Sequence, residues 1–286
     1  MKKLNIGTFF VRLMMILWSL VIIVPFAMLF LTATKTNEEF YANVWALPRH
    51  LASSVAYNFL EAWERGNFGV NFVNTVVIVG GAMFMALTLS AMVSYAITRR
   101  HLRCAKVLNS MFMISYLILL GLLIPAMVGL TPMFIMARFM GLFDTRMMMS
   151  LTFGARAIPF CVMIMVSFFK TIPHQLEEAA YIDGASPWRT FGQVILPLVR
   201  PAFVTAGICL FIDGWSDYMY GLMFISDKAK NTISMGMLSF RVVACVKRDW
   251  GGTCAACVIF IAPILVLYAI FQKQIIGGLT AGSVKG

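Results

Sequence analysis

Apolar runs of about twenty residues recur along the chain, and they restrict its fold more than any other feature. At about 1.5 Å of rise per residue, each run is long enough to cross a hydrocarbon layer about 30 Å thick as an α-helix. The sequence therefore predicts an all-α, polytopic membrane protein with six transmembrane helices. They cover Leu13–Leu31, Val73–Ala96, Leu108–Ile135, Met147–Phe169, Pro201–Ile225 and Thr253–Phe271.

The composition agrees with a chain that lies mostly inside a lipid bilayer. Hydrophobic residues make up 60% of the 286 residues and charged residues 12%, which excludes an ordinary soluble globular protein. The net charge of +11 comes from short basic clusters beside the apolar runs. Such clusters are typical of topology signals and of contacts with anionic lipid headgroups, so we expect no nucleic-acid partner.

The orientation follows from the densest basic cluster, which comes directly after the second predicted helix. Cytoplasmic loops carry an excess of Lys and Arg, so the cluster predicts a cytoplasmic loop and a cytoplasmic N-terminus. Six spans then place both termini in the cytoplasm. The cluster consists of Arg99, Arg100, His101, Arg103 and Lys106.

We expect a single transmembrane domain over residues 1–286. The first apolar run is too long for the apolar part of a signal peptide, so we expect it to remain as an uncleaved span. The domain divides into a first span at 13–31, an extracytoplasmic interval at 34–70, a five-span core at 73–271 that includes a cytoplasmic loop at 171–200, and a cytoplasmic tail at 272–286.

The one long polar interval in the distal half of the chain, Thr171–Pro201, predicts two short helices and a turn. Pro173 suits a first helical turn, where its missing N–H costs nothing. Gly184 tolerates the left-handed backbone that closes a helix. Ser186 then offers an N-cap oxygen to a second helix, which Leu196-Pro197 ends. A DNA-binding helix-turn-helix is the competing interpretation, but membrane spans on both sides leave no access to DNA.

This interval resembles the EAA loop of ABC importer permeases, whose pattern is E-A-A, three residues, G, nine residues and I-x-L-P. The matching residues are Glu178-Ala179-Ala180, Gly184 and Val194-Ile195-Leu196-Pro197, with Val where the family usually has Ile. The segments NFGVNFVNTVVI, LSAMVSYAITRRHL and QKQIIGGLTAGSVKG also look like the sugar-type, maltose-permease-like branch. From about Thr34 onward, most of the chain is therefore similar to a type I ABC importer permease.

The resemblance implies a set of partners and a location in a bacterial-type inner (plasma) membrane. A second permease subunit would complete a heterodimer, and a dimeric cytoplasmic ATPase would hold ATP and Mg. An extracytoplasmic solute-binding protein would deliver a sugar or similar small polar solute. Glu178 would make a charge-assisted contact with the ATPase, unless it is only a solvated acid at a helix start. The coupling residues are Glu177, Glu178, Ala179, Ala180, Asp183, Gly184, Ala185 and Pro197.

Three ionisable residues lie inside predicted spans, where each costs about 2.5–3.5 kcal/mol at the bilayer centre and usually faces protein or water. Arg156 and Asp217 lie about 13 and 12 Å from the outer ends of their spans, at about 1.5 Å per residue. Asp213 is expected one turn deeper, on the same helix face as Asp217. We expect these residues, with Trp215 and Tyr218, to border a translocation path. The alternative is a buried ion pair that fixes helix packing.

No arrangement of residues predicts an enzyme. The three histidines, His50, His101 and His174, lie in separate loops, and the phosphate-binding pattern G-x-x-x-x-G-K-[ST] is absent. We therefore expect the chain to bind no cofactor and ATP hydrolysis to occur on a partner. An ion-coupled secondary transporter is the alternative function, although no convincing internal repeat of that class is found. A membrane-embedded enzyme is more distant, since paired catalytic residues are lacking.

Overall fold

The computed structural model describes residues 6–98 and 126–281, and within them the chain is helical with no β-strand. This confirms the all-α prediction. Short 3-10 turns lie at Ala126–Gly129 and Lys228–Lys230. The helices are α1 Ile6–Ala33, α2 Asn37–Ala42, α3 Leu51–Arg65, α4 Phe68–Thr98, α5 Leu130–Phe139, α6 Arg146–Phe169, α7 Gln175–Ile182, α8 Pro187–Leu198, α9 Arg200–Ser216, α10 Met219–Phe224, α11 Ile233–Lys247 and α12 Trp250–Ala281.

Four of the described helices are long and apolar enough to cross a membrane, namely α1, α4, α6 and α12. The pair α8 and α9, which is bent by 72°, supplies a fifth if the two helices count as one span. Most of the third predicted span, Leu108–Ile135, lies outside the described residues, as does the basic cluster at 99–106. Six spans therefore remain a prediction.

Two segments contain more helix than the sequence indicated. In the third predicted span, Pro125 and Pro132 predict kinks or a helix end near Leu130, yet α5 begins at Leu130 and continues to Phe139. Proline is tolerated in a first turn because the N–H groups there have no partner within the helix. The interval Asp227–Gly251 connects the last two predicted spans, and the sequence predicts an extracytoplasmic loop there. It contains the 15-residue helix α11.

The described chain divides into two compact units. The first lies within Met1–Gly69 and Gly236–Pro263, and the second within Val70–Met235 and Ile264–Gly286. In the first unit, α1 exposes apolar side chains around its whole circumference. An apolar helix without a buried stripe suits contact with lipid or with another apolar subunit.

A buried lysine organises the turn after α1 in the first unit. Lys35 is fully buried, and its Nζ donates to the carbonyls of Asn43 and Val44 at 3.1 and 2.7 Å. The side-chain amide of Asn58 donates to the Lys35 carbonyl at 2.8 Å. A buried ammonium is costly unless it is hydrogen-bonded, so these bonds hold one conformation of the turn.

In the second unit, small residues bring α4 and α6 close together. Ser150 Oγ donates to the Ile78 carbonyl at 2.9 Å. A Cβ atom on Gly154 would lie 2.3 Å from Met85 Cε and 3.1 Å from the Ala82 carbonyl oxygen, so the helices meet where glycine leaves room. Close packing through small residues is a main source of helix association in membranes. Helix α9 packs on α6 as well, and α6 thereby becomes the centre of the unit.

A hydrogen-bonded hub around Asp144 joins two connecting segments of the second unit. Asp144 lies in the turn before α6 with a φ of +60°, and its Oδ1 accepts the backbone N–H groups of Ser226 and Asp227 at 2.9 and 3.0 Å. Lys230 Nζ lies 2.7 Å from Asp144 Oδ2. The Lys230 ammonium, followed by these backbone donors, lowers the pKa of Asp144 from 3.8 to about 2. The same contact raises the pKa of Lys230.

Replacing Asp144 with Asn should lower the Tm of the detergent-purified protein at pH 7 by about 2–4 °C, because one partly exposed charge-assisted bond contributes about 1 kcal/mol. The folded-state pKa lies below the unfolded one, so the carboxylate stabilises the fold above about pH 4 and loses this effect towards pH 2. The Tm difference from wild type should shrink over that range. Glu64→Gln on α3 is the control, and a difference independent of pH would contradict the assignment.

Candidate functional site

The predicted helix–turn–helix of the polar interval is present in the second unit. Helix α7 ends at Ile182, and Gly184 follows with a φ of +78°, the left-handed backbone expected at this glycine. Ser186 Oγ accepts the N–H of Arg189 at 3.3 Å and caps α8, whose first residue is Pro187. The start of α7 differs from the expectation, since the helix begins at Gln175, two residues after Pro173.

The second helix of the loop has a wider turn that the sequence did not indicate. Within α8, residues Thr190–Ile195 form a π-helix, and the helix ends at Leu198, close to the predicted end at Leu196-Pro197. Pro197 has no N–H to donate to the carbonyl of Gln193, which helps to explain a change of hydrogen-bond register there. Single π-turns occur often at functional sites.

The loop separates its outward side chains from its inward ones. The exposed residues of the predicted coupling set are Glu178, Ala179, Asp183, Gly184 and Pro197. Ala185 is half-buried. Glu177 and Ala180 are buried, because positions three apart on α7 share one helix face. Only part of the predicted coupling set is therefore accessible in this structure.

Two large apolar side chains complete the exposed surface of the loop. Ile182 is 85% exposed and Trp188 is 72% exposed. They lie on either side of the Gly184 turn, near Glu178 and Asp183 in the chain. We name this set of exposed residues the loop surface: Glu178, Ala179, Ile182, Asp183, Gly184 and Trp188. Sequence reasoning missed the two apolar residues, and a bulky side chain directly after Ser186-Pro187 was the available signal.

The second feature of this unit is a cluster of charged side chains. Arg156 projects from α6, and one of its terminal nitrogens bonds to Asp213 Oδ2 near the C-terminal end of α9. Its other terminal nitrogen lies 3.8 Å from Asp217 Oδ2. The guanidinium carbon lies 4.9 Å from the Tyr220 ring centroid and 5.7 Å from that of Phe153. The three ionisable residues expected inside spans thus meet in one place.

The helix that was expected over Pro201–Ile225 is broken, and this corrects the sequence-based geometry. Helix α9 ends at Ser216, Asp217 has extended backbone, and α10 begins at Met219. Asp217 and Asp213 therefore do not share a continuous helix face. The Asp217 Oδ1 accepts the N–H of Tyr220 at 3.0 Å, and this bond satisfies a free donor at the start of α10.

The two aromatic residues predicted beside the cluster have different environments. Trp215 is fully buried, stacked on Phe211 with ring centroids 5.2 Å apart and edge-on to Phe72 at 5.4 Å. Tyr218 lies at the helix break and is 45% exposed. The aromatic rings beside Arg156 are instead those of Tyr220 and Phe153. Sequence reasoning missed Tyr220 because the break changes which side chains face α6.

Comparison with known proteins identifies the family. Residues 106–279 match the family model described as binding-protein-dependent transport system inner membrane component. The chain belongs to this family. The diacetylchitobiose uptake system permease protein NgcG of Streptomyces coelicolor is 32% identical over 272 residues, which cover 95% of this chain and 87% of NgcG. The trehalose transport system permease protein SugB of Mycobacterium tuberculosis is 33% identical over 243 residues, which cover 82% and 84% of the two chains.

The permease also has solved structural relatives. A chain of a bacterial ABC transporter involved in the import of the acidic polysaccharide alginate has a TM-score of 0.80 at 19% identity, over 96% of the permease and 98% of that chain. These comparisons confirm the predicted sugar-type ABC importer permease and its fold. They support the ATP-driven importer and not the secondary-transporter alternative. As the family supplies the membrane component, ATP hydrolysis belongs to a partner.

The charged cluster of the permease can bind polar groups and hold side chains in position. Within residues 6–98 and 126–281, no group of three His, Cys, Asp or Glu side chains could hold a metal ion. The charged cluster combines carboxylates, a guanidinium and aromatic faces, which bind polar solutes or one another through hydrogen bonds.

Replacing Arg156 with Gln should lower the stability of the permease by about 1–3 kcal/mol, because Asp217 would keep a poorly solvated charge without its counter-ion. Adding Asp217→Asn to that variant should restore at least half of the loss, measured as Tm in detergent. Arg189→Gln, at an exposed position bonded to Gln193, serves as the control with little effect. Equal losses in the single and double variants would show that the two charges do not interact.

Proposed function

We propose that the permease carries a sugar or similar small polar solute across the inner membrane, driven by ATP hydrolysis on a separate subunit to which its loop surface couples. The observation that carries this proposal is the exposed, acidic and apolar loop surface around Gly184. Two large apolar side chains exposed on a short projecting helix pair are costly in water, so they indicate a docking contact.

The loop surface fits a groove with apolar walls and a basic rim. Trp188 and Ile182 provide the kind of apolar anchors that dominate binding at interfaces. Glu178 offers a carboxylate for an Arg or Lys of the ATPase, and Ala179 and Gly184 permit close approach. Glu177 and Ala180 face inward and hold α7 in place, while Ala185, Asp183 and Pro197 shape the turn and the end of α8.

The partners of the permease are proposed on the same basis. A second permease subunit completes a heterodimer, a dimeric ATPase holds ATP and Mg in the cytoplasm, and a solute-binding protein delivers the solute from outside. NgcG belongs by name to a diacetylchitobiose uptake system and SugB to a trehalose transport system, which favours a saccharide as solute. A structurally similar chain belongs to a bacterial alginate ABC transporter in complex with an alginate pentasaccharide-bound periplasmic protein.

The proposed orientation places the loop surface in the cytoplasm, together with both termini. The Asp144 hub, in the turn before α6, then lies on the extracytoplasmic side. The translocation path between the cytoplasmic and extracytoplasmic sides is bordered by Arg156, Asp213, Asp217 and Tyr218. Trp215 supports that border from behind, since it packs in the protein interior.

Truncating Trp188 to Ala, or reversing the charge in Glu178→Arg, should weaken the complex with the ATPase at least about tenfold, since each removes an anchor of the interface. The amount of ATPase that copurifies with the tagged permease under mild detergent measures the effect. Trp45→Ala, at another exposed tryptophan in the proposed extracytoplasmic interval, is the matched control and should retain the ATPase. The proposal fails if Trp188→Ala and Trp45→Ala copurify equal amounts.

A further inference from the structure

The three charged side chains at the break between α9 and α10 differ in their accessibility. The side chain of Asp213 is 59% exposed, that of Arg156 27% and that of Asp217 13%. An ionisable group inside a membrane span faces protein or water rather than lipid. The most accessible charge of this cluster on the described chain is therefore the negative charge of Asp213.

The positive charge of the cluster is enclosed on several sides. The guanidinium of Arg156 bonds to Asp213, lies 3.8 Å from Asp217 Oδ2 and is covered by the rings of Tyr220 and Phe153. An anionic solute would have to displace a carboxylate before it could reach this guanidinium. Arg156 thus positions the carboxylates and offers little surface of its own to a solute.

The two carboxylates also differ in their free hydrogen-bonding capacity. Asp217 uses Oδ1 for the N–H of Tyr220, and its carbonyl accepts Ser234 Oγ at 2.5 Å. Asp213 uses Oδ2 for Arg156, while its Oδ1 accepts no hydrogen bond from the residues that the structure describes. Ser216 lies three residues further along α9, on the same side, and is exposed as well.

We propose that Asp213 contacts the solute and selects saccharides that carry no negative charge, which are neutral or amino sugars. Its free oxygen accepts hydrogen bonds from hydroxyl or ammonium groups. Two carboxylates and one guanidinium leave one net negative charge, and rings of carboxylates in membrane pores reject anions. The proposal rests on the proposed transport function, and it adds the class of solute that passes along the proposed translocation path. Arg156 is a positioning residue at this site.

Charge-selective labelling of an introduced thiol tests the field at this site directly. The variant Ser216→Cys is made in a chain whose native cysteines are replaced, and it is assembled with its partner subunits in membranes. Ethylammonium and ethylsulfonate methanethiosulfonates are compared by their labelling rates, each normalised to its rate with free 2-mercaptoethanol. The normalised rate of the cationic reagent should exceed that of the anionic reagent at least about tenfold.

A second variant identifies the source of this preference. Adding Asp213→Asn should reduce the preference about tenfold, whereas Glu38→Gln, at an exposed carboxylate of the first unit, should leave it unchanged. Equal rates for the two reagents, or a faster anionic reagent, would overturn the proposal. Absence of labelling by both reagents would also overturn it, since the face would then be covered.

Failure of this inference is separable from failure of the proposed function. Labelling requires neither transport nor ATP hydrolysis, whereas copurification of the ATPase does not depend on the charge at Asp213. A permease that retains the ATPase and shows no charge preference would keep the transport function and lose the proposed solute class.

Discussion

Arg156 must compensate two nearby carboxylates, and the centre of the second unit is arranged around that requirement. An ionisable group within a membrane span is tolerated only when it is paired or faces water. Close packing at Gly154 holds α6 against α4, and the rings of Phe153 and Tyr220 cover the guanidinium. The break after Ser216 leaves backbone groups without helical partners, and the Asp217 carboxylate satisfies one of them.

The chain connects the charged cluster with the loop surface through two helices. Helix α6, which carries Arg156, ends at Phe169 just before the loop, and α9, which carries Asp213, begins at Arg200 just after it. A force on the loop would therefore act on the two helices that carry Arg156 and Asp213. Helices α8 and α9 meet at a bend of 72°. This connection offers the proposed coupling a route to the proposed translocation path.

The sequence predicted the features that depend on local chemistry and missed those that depend on packing. Apolar length predicted the long helices, and Gly184 with Ser186 predicted the turn of the loop, because a left-handed glycine and an N-cap act within a few residues. The break at Asp217 was missed, since nothing in Ser216-Asp217-Tyr218 forbids a helix. The Asp217 carboxylate caps α10 through the nearby Tyr220 N–H, and Ser234, from a more distant segment, bonds to the Asp217 carbonyl. The break also places Tyr220, rather than the predicted Trp215, beside Arg156.

The most direct test of the account is a structure of the assembled transporter in lipid nanodiscs, determined by cryo-electron microscopy. We expect Glu178 and Trp188 to lie in a groove of the ATPase on the cytoplasmic side, and Asp213 to face a water-filled cavity within the membrane. A structure with Glu178 on the extracytoplasmic face, or with the loop surface in contact with no other subunit, would contradict it.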